Sequence, residues 1–333
     1  MHRAVERYQD TVLKNPYTSQ AAYMEKATCS GRYCMYTEAM GYLYSFGYDY
    51  EIKTGNFVFL PDNMKKSDRQ PSWLETMDYW YTDAPHIKHQ SDFWPGTGSL
   101  FTSFRWFELN GPLGKPGSFT YEIIDTLKAQ SPDISLIQME FKPTGGRQDS
   151  GTIYIDCENF SIYRIKLDQT RFYSQNFRQW VSAKGDITYY NHSEGNDTSI
   201  ESLHFTYMKN SLEYWVEFQS SPLKNFYNKV AENKSRALSL TTANPFVYYQ
   251  PDVWPTSSPF SRLNMDSVRR DLEGERTLEE QFEANAGQAF FTITYQDERE
   301  STVLGGEETY ELVKQILNRL ESEFKHETNT NDD

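Results

Sequence analysis

Residues 151–167 read GTIYIDCENFSIYRIKL, and the two-residue rhythm inside them decides the fold. In the second arm Tyr163, Ile165 and Leu167 point one way while Arg164 and Lys166 point the other, the signature of a strand with one buried and one wet face. Cys157, Glu158 and Asn159 between the arms form a connection of the length antiparallel hairpins use.

The same alternation extends in both directions. Phe119, Tyr121 and Ile123 share a face; Ser135, Ile137, Met139 and Phe141 mark the next strand, closed by Pro143, Gly145 and Gly146. Ile187 and Tyr189 suggest a further strand. Leu203, Phe205 and Tyr207 then lead into a turn at 209–211, and Leu212, Tyr214, Val216 and Phe218 return from it. The expectation is an antiparallel meander of about seven strands, which must close, split or cover its inner face.

Helices are available as the cover. Ala4, Val5, Tyr8 and Val12 fall at helical spacing, and Pro16 stops that helix. Tyr36, Met40, Leu43 and Tyr44 predict a second helix ending at Gly47. From Gly305 and Gly306 a C-terminal helix carries Tyr310, Val313, Ile316, Leu317, Leu320 and Phe324 on one stripe, with Glu307 and Glu308 in its first turn. A strand at Phe291, Ile293 and Tyr295 precedes it. The fold class expected is α+β, a curved antiparallel meander packed against helices. Residues 1–100 hold N-terminal helices and an aromatic, proline-rich connector, 101–245 the meander, and 246–333 a strand and helix completing the domain, with a disordered tail from about 326.

Composition narrows the function classes. The 333 residues carry 33 Lys and Arg against 47 Asp and Glu, a formal charge of −14, and no basic run exceeds two residues, which argues against nucleic acid as a partner. No stretch is long and apolar enough for a membrane helix. Mean hydropathy is −0.75, yet 24 Tyr, 21 Phe and 7 Trp supply buriable surface. The opening MHRAVERYQD is not an export signal, so the expectation is a cytosolic protein or a mature or truncated piece of an exported one. Three cysteines make no disulfide framework, although Cys29 and Cys34 are near enough in sequence to bridge.

Catalytic readings are thin. Asp156 and Glu158 bracket a hairpin turn, where such residues bond local backbone. His86 and His89, three apart after Pro85, lack a third metal ligand nearby. Ser202 and His204 share a strand face without a nucleophile elbow. Gly111, Gly114, Gly145 and Gly146 lack a phosphate cradle's context and read as turns. Nothing calls for a metal or a cofactor, and no catalytic residue is assigned. Trp215, between Glu213 and Glu217 on the face assigned to solvent, is the candidate for an interaction surface or for contact with a helical layer.

The segments AYMEK at 22–26, YTEA at 36–39, IQMEFKP at 137–143 and GTIYID at 151–156 follow a familiar order. Over roughly residues 1–220 the chain resembles Bacteroidetes envelope proteins of the carboxypeptidase-like regulatory-domain type, in the region that follows their N-terminal β-sandwich. That resemblance implies a sheet like the half-open barrel of lipoprotein carriers and a periplasmic or outer-membrane-associated location, with a cytoplasmic one as the alternative. The first expectation for function is a non-enzymatic envelope role, in which the inward-facing Phe141, Tyr163, Ile165, Phe205, Tyr207, Tyr214 and Phe218 would line a groove for a lipid, or for a lipidated or other protein partner. The competing expectations are a glycan-binding or glycan-hydrolysing protein using exposed aromatics and a carboxylate pair, and a protein-interaction module of a larger assembly using Trp215 or the aromatic cluster at 73–94.

Overall fold

The computed structural model describes residues 1–12, 17–45, 57–67, 104, 107–128, 134–146, 149–174, 179–191, 198–209, 212–220, 225–226, 238–241, 249–254, 260, 264–285 and 292–295. The chain opens with α1 (His2–Thr11), whose Ala4, Val5, Tyr8 and Thr11 are buried. Three strands follow: β1 (Tyr17–Cys29), β2 (Arg32–Ser45) and β3 (Phe57–Ser67). Ser30 (φ 50°) and Gly31 (φ 78°) join β1 to β2 in a tight turn that needs positive φ at both positions. The meander is β4 (Phe119–Lys128), β5 (Ser135–Pro143), β6 (Ser150–Asp156), β7 (Ile162–Ser174), β8 (Gln179–Asn191), β9 (Thr198–Lys209) and β10 (Leu212–Ser220).

These strands make one open antiparallel sheet in the order β3-β2-β1-β10-β9-β8-β7-β6-β5-β4, with a short β11 (Asn225–Phe226) beside β1. A separate pair joins β12 (Leu238–Thr241) to β13 (Thr292–Tyr295). Two helices, α2 (Met265–Leu272) and α3 (Leu278–Asn285), lie between β12 and β13 in the chain. The strand expected at 291–295 is β13. The C-terminal helix and tail expected from residue 305 lie outside the described residues.

The meander stands as the alternation implied, but the N-terminal region does not. Residues 36–44, expected to be helical, belong to β2, and the first hundred residues add three strands to the same sheet through pairing of β1 with β10. The physical reason is burial on both faces. Met35, Thr37, Ala39 and Leu43 are buried on one side of β2 while Tyr36 and Glu38 are buried on the other. A strand covered on both sides loses the polar-apolar alternation that advertises it.

The registers align one cross-strand row through all ten strands: Ile123, Met139, Ile153, Ile165, Ile187, Leu203, Phe218, Tyr23, Ala39 and Met64. Every member is apolar or aromatic. Nine are buried, seven of them at 0% exposure, whereas Ile123 on the edge strand is 63% exposed. A flat sheet of ten strands would span roughly 45 Å, while a helix is only about 10–12 Å across. Among the described residues α1, Phe104 and residues 107–118 pack on this face, and a twisted sheet of ten strands curls rather than lying flat.

The neighbouring row shows where the bend is accommodated. Phe141, Gly151, Leu167, Gly185 and Phe205 follow one another across β5 to β9, large beside absent side chain. A Cβ built on Gly185 would sit 2.9 Å from Phe205 Cε1 and 3.0 Å from Leu167 Cδ1; one on Gly151 would sit 1.9 Å from the Lys166 carbonyl oxygen. Strand glycines of this kind admit a close approach that any side chain would block.

A second core lies on the opposite face at the β1–β2–β3 end. Met24 and Tyr36 pack there with Phe260, Val268, Leu272, Leu278 and Phe282. Asn264 caps α2 by accepting from the amides of Asp266 (3.1 Å) and Ser267 (3.3 Å). Thr277 and Glu280 bond each other's amides across the first turn of α3, a capping box.

Candidate functional site

The inner face of the sheet is a large apolar surface, and among the described residues α1, Phe104 and residues 107–118 are what pack on it. Helix α1 lies on it through Ala4 and through Tyr8, whose ring meets Tyr189 edge to face at 5.5 Å, with Met1 and Val12 flanking the helix in the same core. Polar contacts add to these. Tyr8 Oη donates to Glu108 Oε1, Thr11 Oγ1 meets Thr198 Oγ1 at 2.9 Å, and Val12 bridges Thr198. Arg3 lies over the Phe160 ring at 5.4 Å. Phe104, Phe107 and Leu113 join the same core, and Tyr121 Oη donates to the Pro116 carbonyl at 3.1 Å.

The proposed groove residues separate into three groups. Phe141, Ile165, Phe205 and Phe218 are all within this core, at 0–1% exposure. Tyr163 departs from the expected face: the register skips it between Tyr154↔Arg164 and Ile155↔Ile162, so it occupies a bulge and is half-buried outside the core. Burial and the Asp156 carboxylate raise its phenol. Tyr207 and Tyr214 pair with each other in β9 and β10, and their side chains lie outside the described residues.

The inner face also has a polar end that the sequence reading missed. Glu25, 8% exposed, sits opposite Val216 and Thr37 and accepts from Tyr23 Oη at 2.7 Å. Thr37 is 3% exposed, and its hydroxyl has no hydrogen-bond partner in the structure. Tyr23-Met-Glu25 alternates as inward, outward, inward, so strand periodicity would have exposed this acid had β1 been recognised as a strand.

Trp215 lies on the other face and meets the helical layer. It packs against the second core, stacks on His204 at 3.6 Å between centroids, and carries the Lys26 ammonium 4.6 Å above its ring. Burial lowers Lys26, and Glu213 and Glu217 pull it back up. A stacking platform for a glycan is therefore not presented at Trp215. The 73–94 aromatic cluster, His86 and His89 lie outside the described residues.

Other candidates resolve into local structure. Asp156 Oδ1 accepts from the amides of Glu158 (2.7 Å) and Asn159 (3.0 Å), the turn role its position implied. Ser202 pairs with Thr188 at 2.7 Å, and His204 Nε2 meets Thr206 at 3.1 Å. Cys34 is buried, and its thiol points at the Ala27 carbonyl at 3.4 Å; the Cys29 side chain lies outside the described residues. Among the described residues no group of three or more His, Cys, Asp or Glu could hold a metal ion, and no helix is long and apolar enough to cross a membrane.

No family model and no curated protein matches the chain. Among solved structures it is similar to an outer membrane lipoprotein-sorting protein domain from Vibrio parahaemolyticus at 10% identity and TM-score 0.31, covering 70% of this chain and 94% of that one. It is also similar to a LolA superfamily protein from Nitrosomonas europaea, at 7% identity and TM-score 0.26, covering 67% and 92%. A third is the Pseudomonas aeruginosa MucA/MucB complex, at 7% identity and TM-score 0.19, covering 66% and 92%. At such scores the likeness is one of broad sheet arrangement, and the functional reading rests on the residues themselves.

Proposed function

We propose that this chain is a non-catalytic binding protein of the bacterial envelope, a half-open barrel whose inner face receives an apolar guest. The guest is a lipid acyl chain, free or attached to a partner protein, and it enters by taking the place of α1. The observation that carries this reading is the contrast between the face and its cover. A row of apolar residues runs across ten strands, while among the described residues the N-terminal segment over it contributes Ala4, Tyr8 and Val12, with Met1 packed alongside, and is held besides by hydroxyl and carboxylate contacts. Such contacts are worth about 1 kcal/mol net each while both partners are in place, so release of the helix requires the guest's apolar groups to refill the space and the buried Glu108 carboxylate to gain water or another donor. The Thr37 hydroxyl then offers a hydrogen bond to the guest's polar end. The envelope location rests on the resemblance of the segments at 22–26, 36–39, 137–143 and 151–156 to Bacteroidetes envelope proteins.

Native mass spectrometry after mild purification, with titration of a fluorescent fatty acid, tests the reading. The expected results are a lipid-sized adduct, and tighter fatty-acid binding by Tyr8→Phe, which loses the bond to Glu108. Absence of an adduct together with no fluorescence change in either protein would remove it.

A further inference from the structure

The two edges of the sheet are treated differently. Edge strand β3 is covered: β12 and α3 lie against it, Ser67 Oγ donates to Gln281 Oε1 at 2.6 Å, and Asn63 takes the Trp254 indole proton at 2.8 Å. Edge strand β4 pairs with β5 on one side and, among the described residues, with no strand on the other. Of its ten residues Phe119 alone is buried.

Three observations define what fits there. The first is the long apolar row, which ends at Ile123 with 63% of that residue in solvent. The second is a bulge between Ile123 and Asp125, which adds Ile124 to the strand, 54% exposed. Apart from Met208, these two isoleucines are the exposed large hydrophobics among the described residues. The third is charge: exposed Glu122 and Asp125 bracket the pair, Glu122 stands opposite Glu140, and the whole chain carries −14.

From these we infer that β4 is a docking edge for an extended, basic segment of another protein, which adds as a further strand and lays apolar side chains on Ile123 and Ile124 while its Lys or Arg residues meet Glu122 and Asp125. An unpaired strand supplies main-chain hydrogen bonds to an extended peptide, and side-chain pockets set its register. The charges select the occupant. A second copy would bring the same acids and a further −14 against this edge, and like charges across a strand pair are destabilising. The bulge and the charges also deter indiscriminate strand pairing, so that a complementary partner is needed.

The test uses the full chain and a synthetic capped peptide of about twelve residues alternating Val and Lys, with a Val and Glu peptide as control. Binding is read by fluorescence anisotropy and by amide hydrogen exchange resolved to segments. The Val and Lys peptide should slow exchange across 119–128, and the control should not bind. Ile123→Ser with Ile124→Ser, a change at exposed positions that leaves the fold intact, should weaken binding about tenfold, equivalent to about 1.4 kcal/mol. Glu122→Gln with Asp125→Asn should weaken it and flatten its salt dependence. Equal binding of both peptides, protection elsewhere than β4, or indifference to the serine pair overturns the assignment. So does a dimer in sedimentation that the serine pair dissolves, since the occupant would then be a second copy. The fatty-acid readout concerns the inner face and is independent of each of these outcomes.

Discussion

Replacing Gly185 and Gly151 separately by alanine distinguishes a bend that side chains accommodate from one that the backbone enforces. The Gly185 methyl would meet Phe205 Cε1 at 2.9 Å and Leu167 Cδ1 at 3.0 Å, both ends of side chains in residues no more than 2% exposed. Overpacking a closed core costs about 1–3 kcal/mol, and the lost chain entropy of glycine returns about 0.4–1 kcal/mol. Gly185→Ala should therefore destabilise by about 1 kcal/mol net. At Gly151 the obstacle is the Lys166 carbonyl oxygen at 1.9 Å, which belongs to the adjacent strand and cannot rotate away. That substitution must separate β6 from β7, at a cost of at least about 3 kcal/mol. Urea unfolding followed by far-ultraviolet circular dichroism measures both. A double-mutant cycle sharpens the comparison: Phe205→Leu should recover part of the Gly185→Ala loss, with a coupling of about 1 kcal/mol, while Phe141→Leu should leave most of the Gly151→Ala loss in place. A Gly151→Ala protein within about 0.5 kcal/mol of the parent would refute the register of β6 against β7 and the bend built on it.

The apolar row makes a graded prediction: Ile165→Ala, at its buried centre, should cost about 2–5 kcal/mol, and Ile123→Ala, at its exposed end, no more than about 0.5 kcal/mol, both read by urea midpoint. Asn264→Ala removes the cap of α2 and should cost about 1 kcal/mol, with Asn264→Asp retaining most of it in the same assay. The carboxyls of Glu279 and Asp271 are held below the ordinary range, Glu279 chiefly by its bond to Arg269 and Asp271 chiefly by its bond to Arg270. Their stabilising effect is complete above the unfolded value near pH 4 and fades as pH falls through the lower folded values. Thermal unfolding between pH 5 and pH 2 should therefore show an acid loss that shrinks in Arg269→Gln; an identical acid limb in both proteins would refute the Glu279 assignment.

Legibility in the sequence followed the wetness of each strand's second face. In β7 the outward Arg164 and Lys166 alternate with buried Ile165 and Leu167, and the strand is readable at once. In β2, Tyr36 and Glu38 face a second hydrophobic core, so apolar residues fall on both sides and their spacing imitates a helix. That core is harder to anticipate because α2 and α3 are only eight residues long and α3 has little periodicity to read, although the Thr277 to Glu280 spacing is a capping box visible in the sequence. Tyr163 was misassigned because a bulge shifts the parity of a strand and alternation alone cannot locate one. The buried Glu25 was hidden by the same error that hid β1. A carboxylate at 8% exposure looks like surface until its strand face is known.

The anchored and bare edges together constrain how such a molecule can bind anything. At the β3 end the outer face is tied down by polar contacts that span the chain: Lys65 reaches Glu38 at 3.5 Å and lies 3.7 Å from the Trp254 ring centroid, and the Tyr33 amide donates to Asp271 at 3.0 Å. Burial lowers Lys65 and Glu38 opposes that shift, as expected of a partly desolvated pair. At the β4 end the outer face carries solvent-exposed pairs such as Lys142 with Glu140, which contribute little to rigidity. Local opening draws on the least buried elements first. Strand β4, with Phe119 alone buried among its ten residues, is therefore where the described sheet should open first, and a strand adding to that edge would act there. The β1–β2–β3 end, covered on both faces, should open last, an ordering that amide hydrogen exchange resolved to segments reads directly.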